Sequence, residues 1–342
     1  MQTGQRCISD ESATDRRPEK HSLLRTSADR NAQTDVTDCC AGVRRLRSVA
    51  ASWGCAAMDK NSKTIEANGP AEPPPAAKKR NEEKQIQERV AIGAHVVHET
   101  IRREGEEELR RTSSALAWSA LAAGLSMGFS LVAEGLLAGY LPDAHWTMLV
   151  SKLGYSVGFL IVVLGRQQLF TETTLTAVLP LLSRRNLETG LGVLRLWVVV
   201  LLANLVGTYI FALGIGHIPI FSSHVHDALV RVSQGGMEGS FGLVFVRAIF
   251  AGWLIALMVW LLPAAESARV SIIIILTYLI GLGGFNHVIA GSTKVLFLVV
   301  SGAETWGNFW LRFFLPTLLG NVVGGVSLVA FLGHAQVVSG KD

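Results

Sequence analysis

Apolar residues are concentrated in six long runs that occupy the last two thirds of the chain. A helix needs about 20 consecutive apolar residues to cross the hydrocarbon core of a bilayer, and each run reaches that length. The pattern therefore predicts an all-α polytopic membrane protein with spans at residues 115–141, 147–182, 191–215, 241–262, 270–300 and 305–332.

The second and fifth runs are too long for simple helices, and polar residues or glycines interrupt both. The interruptions are Gly165–Thr173, which reads GRQQLFTET, and Gly281–His287, which reads GLGGFNH. Polar groups and irregular backbone at mid-membrane depth are costly unless they are buried in protein or line a cavity. We therefore expect two broken helices, each restarting at its interruption.

Residue types at the interruptions suggest how the second half-helices begin. Thr171 is a plausible N-cap residue, with Glu172 in the first turn that follows. Asn286 is the corresponding candidate at the other break, with His287 in the first turn. Each half-helix would then direct an N-terminus, equivalent to about half a positive charge, toward the protein centre.

A short motif occurs twice and indicates an internal duplication. Arg195 is followed nine positions later by Asn204 in the sequence NLVG, and Arg312 by Asn321 in the sequence NVVG, 117 residues further on. Each half contains three spans, an odd number, so the second half enters the membrane inverted. Broken helices at corresponding positions of inverted 3+3 repeats indicate a substrate site near the bilayer midplane. This geometry suits a small anion, but it equally suits a neutral-solute pore that excludes cations.

Composition divides the chain unevenly. Residues 1–114 hold 20 of the 31 Lys and Arg and 18 of the 27 Asp and Glu. The rest of the chain therefore contains too few charged residues for an ordinary soluble enzyme. Apolar residues at helical spacing between 84 and 111 predict an amphipathic helix that lies on the membrane or on a neighbouring subunit. The predicted organisation is a disordered extension at 1–57, a flexible linker at 58–83, an amphipathic cytoplasmic helix at 84–111, the six-span domain at 112–335 and a tail at 336–342.

Charged loops suggest an orientation, because Lys and Arg are enriched in cytoplasmic loops. Arg184, Arg185 and Arg269 lie in loops on the same side as the charged N-terminal third. We therefore expect both termini in the cytoplasm of a plasma (inner) membrane protein. All four cysteines precede residue 58 in a spacing that matches no common zinc site, and no metal, cofactor, nucleic-acid partner or enzymatic activity is expected.

At the breaks and in the sixth span the sequence resembles the formate/nitrite transporter family. The resemblance covers roughly residues 85–335. It rests on Leu169-Phe170-Thr171 with Thr173, Gly284-Phe285-Asn286-His287 with Ile289-Ala290, Thr305-Trp306-Gly307-Asn308-Phe309-Trp310, Leu315-Pro316 and Gly320-Asn321-Val322-Val323-Gly324-Gly325. It implies an aquaporin-like six-helix fold, a homopentamer with one pore per subunit, and small monovalent anions or weak acids such as formate and nitrite as substrates.

The resemblance also assigns candidate site residues. It implies a central pore histidine at His287, close to Thr171 and Asn321. Such a histidine would lower the barrier to a carboxylate by sharing a proton with it. Asn204 and Asn321 either brace the broken backbone or contact the substrate, and His287 either lines the pore or ties two helices together. Candidates for the apolar constrictions are Tyr155, Phe159, Leu169, Phe170 and Ile280.

Two features depart from the family pattern. Family anion channels usually carry a lysine shortly before the fourth span, yet none occurs between His224 and Arg247. Glu172 occupies a position where a small hydroxyl residue is usual. An ionised Glu172 facing the pore would repel anions unless it paired with Arg166 or Arg247.

Three functions therefore remain open. The leading one is an anion channel or a transporter coupled to protons through His287. The departures from the family pattern favour an aquaporin-like pore for neutral solutes, and a non-transporting membrane sensor is the third possibility. Glu134, inside the first span, is expected to form a structural hydrogen bond.

Overall fold

A computed structural model describes residues 79–80 and 93–339 of the chain. The extension predicted at 1–57, nearly all of the linker at 58–83, residues 84–92 of the amphipathic helix and the last three residues lie outside the described part. All regular structure within it is helical. The main helices are α1 Ala94–Arg110, α2 Ser113–Tyr140, α3 Thr147–Leu164, α4 Phe170–Thr176, α5 Val178–Arg184, α6 Leu187–His217, α7 Ser223–Gln234, α8 Phe241–Leu261, α9 Arg269–Leu282, α10 Val288–Val300, α11 Trp306–Ser327 and α12 Leu332–Ser339.

Five of these elements are long and apolar enough to cross a membrane: α2, α3, α6, α11 and α8 with its short 3₁₀ extension to Ala264. Helices α9 and α10 together form the remaining span, and α4 and α5 complete the span that α3 begins. The six spans predicted from the apolar runs are therefore confirmed, as are the two broken helices. The predicted tail boundary at residue 335 falls within α12, which continues to Ser339.

Local sequence explains where several spans begin. Thr112, Asn186 and Ser240 stand at the N-caps of α2, α6 and α8, and each side chain accepts a hydrogen bond from a backbone N–H three residues later. Short polar side chains at this position satisfy a donor that the helix leaves unpaired. Arg185 closes α5 in the left-handed conformation, with a φ of 49°.

Two glycines allow the spans within each half to pack closely. A Cβ atom at Gly124 in α2 would overlap the backbone carbonyl of Asn204 in α6, and one at Gly252 in α8 would overlap that of Asn321 in α11. The same contact therefore occurs once in each half, between the first and third span of that half. This repetition agrees with the predicted inverted 3+3 architecture of the aquaporin-like fold.

The outer surface of the helices is apolar. Large apolar side chains that stay well exposed include Trp118, Leu187, Ile275 and Leu311, with exposures of 73%, 78%, 62% and 66%. Polar residues would cover such a surface in a water-soluble protein, whereas lipid or a neighbouring subunit covers it in a membrane protein.

Helix α1 packs against its own chain. Val97, Ile101 and Gly105 are buried, and a Cβ atom at Gly105 would overlap the carbonyl of Thr176 at the end of α4. The amphipathic character predicted for this segment is correct for its described part. Its apolar face, however, is buried against the six-span domain, because that domain leaves matching apolar residues uncovered beneath it.

We predict that Gly124→Ala lowers the free energy of unfolding by about 1–3 kcal/mol, the usual cost of overpacking a tight interface. Gly214→Ala in α6 is the matched control, because a Cβ atom there meets no described atom within 4 Å. Thermal unfolding of the purified protein in detergent measures both variants. Equal melting temperatures for the two would contradict the close α2–α6 contact.

Candidate functional site

The chain leaves and re-enters helical conformation twice near the centre of the protein. Helix α3 ends at Leu164 and α4 starts after Leu169, which is its N-cap; α9 ends at Leu282 and α10 starts after His287. The predicted N-caps, Thr171 and Asn286, are therefore wrong. Thr171 lies inside α4, and Asn286 donates instead from Nδ2 to the carbonyl of Gly236. Glu172 does lie in the first turn of α4, as predicted.

Asn204 satisfies the backbone of the first break with its side-chain amide. Its Oδ1 accepts from the N–H of Phe170 at 2.9 Å, and its Nδ2 donates to the carbonyls of Gln168 at 2.9 Å and Ala120 at 2.7 Å. The Asn204 amide thus links the non-helical segment at the first break to α2 and to its own helix, α6. Because Asn204 is fully buried, these bonds replace the water that the backbone groups have lost.

Asn321 makes the corresponding set of bonds at the second break. Its Oδ1 accepts from the N–H of Val288 at 2.8 Å, and its Nδ2 donates to the carbonyls of Asn286 at 2.9 Å and Ala248 at 2.8 Å. The repeat found in the sequence therefore marks two residues with one structural function. The side-chain amide atoms of both asparagines all hydrogen-bond to backbone groups. Of the two roles considered from the sequence, bracing the broken backbone or contacting the substrate, these bonds favour bracing.

The N-termini of α4 and α10 meet through two side chains, Thr171 and His287, which we call the central junction. Thr171 Oγ1 and His287 Nε2 are 2.7 Å apart, and both residues are buried. His287 Nδ1 accepts from the N–H groups of Ile289 at 3.3 Å and Ala290 at 3.2 Å. Since Nδ1 is an acceptor, the proton of the neutral ring lies on Nε2 and is donated to Thr171. The hydroxyl hydrogen of Thr171 is then available for a further acceptor.

Aromatic rings extend from one side of the central junction. The ring of Phe159 packs edge-on against His287 with a centroid separation of 5.0 Å, and Tyr155 packs against Phe159 at 5.4 Å. Both rings belong to α3 and are buried. Two of the five predicted constriction residues therefore lie beside the junction, on the side away from α1.

The other three constriction candidates are also buried but make different contacts. Phe170 packs against Trp197 with a centroid separation of 5.9 Å. Leu169 is the N-cap of α4, and the carbonyl of Ile280 accepts from the N–H of Phe285 in the turn after α9.

Glu172 lies apart from the central junction, at a cavity of about 400 Å³ beside α1. Its Oε1 atom is buried and has no hydrogen-bond partner among the described residues. Neither of the two arginines that could have neutralised it does so: Arg247 donates to the carbonyl of Glu238, and no ion pair of Arg166 occurs in the described part. The charged residues that line this cavity are Glu104, Glu107, Glu108, Glu172, Glu266, Arg111, Arg166 and Arg269.

Glu108 was not expected at the site, yet it joins α1 to the first break. Its carboxylate accepts from Thr176 Oγ1 at 2.6 Å and from Gln168 Nε2 at 3.1 Å. Burial raises the pKa of the Glu108 carboxyl above its ordinary value, and the two hydrogen bonds act in the opposite direction. Its position on the buried side of an amphipathic helix was the available sequence signal.

Glu134 forms ion pairs as well as the hydrogen bonds expected of it. Its Oε2 lies 2.8 Å from Lys152 Nζ, and its Oε1 lies 2.5 Å from Lys294 Nζ. We call these three residues the Glu134 cluster. The sequence pattern did not predict a site at Lys294, although a lysine within an apolar span is a signal in itself.

These features define a class of protein. It is a polytopic α-helical membrane protein with two inverted halves of three spans each, whose two half-helices meet at a buried polar centre. The family model described as formate/nitrite transporter matches residues 95–335. The chain therefore belongs to the formate/nitrite transporter family.

Individual relatives agree with this assignment. Inner membrane protein YfdC of Escherichia coli (strain K12) is 45% identical over 251 residues, which cover 73% of this chain and 81% of that protein. Formate channel BtFdhC of Bacillus thuringiensis is 30% identical over 213 residues, covering 60% and 80%. A solved structure described as a pentameric formate channel with formate bound has 23% identity and a TM-score of 0.57, and covers 67% of this chain and 98% of that one. It supports the fold.

We predict that Asn321→Ala destabilises the protein by about 1–3 kcal/mol for each buried group left unpaired, and that Asn204→Ala has a similar effect. Asn308→Ala is the matched control, because Asn308 lies at a partly exposed helix end and bonds to Glu304. Thermal unfolding in detergent compares the three variants. A small and equal loss for all three would show that the asparagines do not brace the breaks.

Proposed function

We propose that the chain forms a membrane channel or transporter for small monovalent anions and their weak acids, with formate as the first candidate. The proposal is supported by the family assignment and by relatives such as the formate channel of B. thuringiensis. The observation that carries it is the central junction, where the N-termini of α4 and α10 and the Thr171 hydroxyl converge.

The junction offers hydrogen-bond donors to an anion, and no ion pair of the described residues includes Thr171 or His287. Each half-helix N-terminus contributes about half a positive charge. The Thr171 hydroxyl donates to the anion, while Nε2–H of His287 donates to the same hydroxyl and strengthens it as a donor. Glu172, Asn204 and Asn321 contribute differently. The asparagines hold the half-helices in place, and Glu172 is one of five glutamates that line the cavity beside α1.

Apolar side chains on both sides of the junction would give the pore its selectivity. Phe159 contacts His287 directly, and Tyr155, Leu169, Phe170 and Ile280 complete the proposed constrictions. A bare carboxylate enters such a region at high cost, whereas the neutral acid does not. Because His287 is neutral and both of its ring nitrogens are hydrogen-bonded, an anion held at the Thr171 hydroxyl would take up its proton from solution. This requirement favours weak acids over permanently ionised anions and couples their flux to pH.

We further propose that the protein is a homo-oligomer, specifically a pentamer, in the inner (plasma) membrane with both termini in the cytoplasm. The exposed apolar faces of the spans provide surface for lipid and for neighbouring subunits. The related YfdC is an inner membrane protein, and the solved formate channel is pentameric. The cytoplasmic side is then the side of α1.

A pore for neutral solutes is the second candidate, because one specific observation favours it. Acidic residues outnumber arginines along the α1-side cavity, and Glu172 has no cationic partner in the described part. Flux into proteoliposomes separates the candidates. Formate uptake that depends on pH supports the proposal, glycerol uptake without formate uptake supports the neutral pore, and no uptake of either supports a sensor.

We predict that Thr171→Val lowers formate flux about 10- to 100-fold, because a hydrogen bond to a charged group contributes about 1.5–3 kcal/mol. Thr171→Ser keeps the hydroxyl and should retain most of the flux. Stopped-flow uptake in proteoliposomes measures both. Equal flux in the two variants would remove the hydroxyl from the transport path.

We predict that Glu172→Ser increases formate uptake at the pH values where this carboxylate is ionised, because it then removes a negative charge from the approach to the junction. Glu266→Ser is the comparison variant, since Glu266 lines the outer part of the same cavity and is exposed. Its effect should be smaller. Unchanged uptake in Glu172→Ser would place this carboxylate outside the path.

A further inference from the structure

The Glu134 cluster places two ammonium groups against a single buried carboxylate. Glu134 is fully buried, and the side chains of Lys294 and Lys152 are 8% and 21% exposed. With all three groups ionised, the cluster carries one net positive charge. Between residues 112 and 335 the sequence contains two lysines, and both bind this one carboxylate.

A purely structural ion pair needs one lysine for one carboxylate. Removing ions from water is costly, and well-packed apolar residues often stabilise an interior as well as an ion pair does. A second ammonium group that is partly buried therefore adds cost without balancing a charge. The surplus suggests a function that requires positive charge at this depth.

The cluster lies next to the aromatic residues that lead to the central junction. Lys294 Nζ is 5.0 Å from the centroid of the Tyr155 ring, and Tyr155 in turn packs against Phe159, which contacts His287. Lys294 and His287 belong to the same half-helix, seven residues apart, which corresponds to about 10 Å along the axis. The cluster is thus on the side of the junction opposite to α1.

We infer that the Glu134 cluster provides the positive charge that draws the substrate anion toward Tyr155 and Phe159 from the side opposite to α1. This inference rests on the proposed function. It also explains how an anion pathway can lack a lysine between His224 and Arg247: the charge is supplied from α3 and α10 instead. At about 10 Å and an effective dielectric constant of about 20, one unit charge changes the local anion concentration by about tenfold.

A charge series at the cluster tests the inference through initial formate uptake at low formate concentration. Lys294→Met brings the net charge to zero and should lower uptake about tenfold, whereas Lys294→Arg keeps the charge and should retain it. Glu134→Gln raises the charge to two and should increase uptake. The double variant Lys294→Met/Glu134→Gln restores one positive charge and should return uptake toward the wild-type value.

Arg231→Met is the matched control for loss of a positive charge elsewhere. Arg231 lies on α7, which packs against α2 and α10 but contributes no ion pair to the cluster. Formate uptake by Arg231→Met should equal that of the wild type. Size-exclusion profiles and melting temperatures identify any variant that fails to fold. If Glu134→Gln fails to fold, the double variant is compared with Lys294→Met instead. Formate uptake by both is then measured at increasing ionic strength, and it should depend on ionic strength more strongly in the double variant.

The outcomes separate the two proposals. Uptake that follows the order of cluster charge supports the inference. Equal losses in Lys294→Met and Glu134→Gln, or equal uptake across the whole series, would overturn it and leave the proposed function standing if the wild type transports formate. Absence of formate uptake by the wild type, with glycerol uptake intact, would overturn the proposed function itself.

Discussion

The architecture depends on the pairing of backbone groups where two membrane helices are interrupted. No water is present at this depth to replace a lost helical hydrogen bond, so each break needs a partner from the protein. Asn204 and Asn321 supply it, each with one acceptor and two donations to carbonyls. Gly124 and Gly252 allow the neighbouring span to approach closely enough for the amide to reach its third partner.

This bracing leaves the Thr171 hydroxyl of the central junction available for contact with a substrate. Because the asparagines pair the first amide of each half-helix, the Thr171 hydroxyl is not needed as a backbone partner. His287 caps its own half-helix with Nδ1 and uses Nε2 toward Thr171. The charges are arranged unequally around this centre. An acidic cavity lies on the side of α1, and the positively charged Glu134 cluster lies on the other side. A permeating anion would therefore meet different electrostatic environments on entering and leaving.

Much of the fold could be predicted from the sequence because membranes impose strict local requirements. Long apolar runs revealed the spans, and polar residues at Gly165–Thr173 and Gly281–His287 revealed the breaks. The repeated motif singles out Asn204 and Asn321, the two residues that brace the breaks. The predicted caps were wrong for a local reason. Residue type favours Thr171 and Asn286 as N-caps, but the actual N-caps are Leu169, two residues before Thr171, and His287, one residue after Asn286. At each break the asparagine of the following span accepts the hydrogen bond of the first helical amide.

By itself the sequence determined the class of protein, the number of spans, the positions of the breaks and the duplication, since each depends on composition or spacing along the chain. Tertiary structure alone decided which charges are paired. Glu134 binds one lysine 18 residues away and another 160 residues away, while Glu172 binds none in the described part. The reason is physical: a buried ion is stabilised only by the groups that surround it, and those groups come from spans that folding brings together.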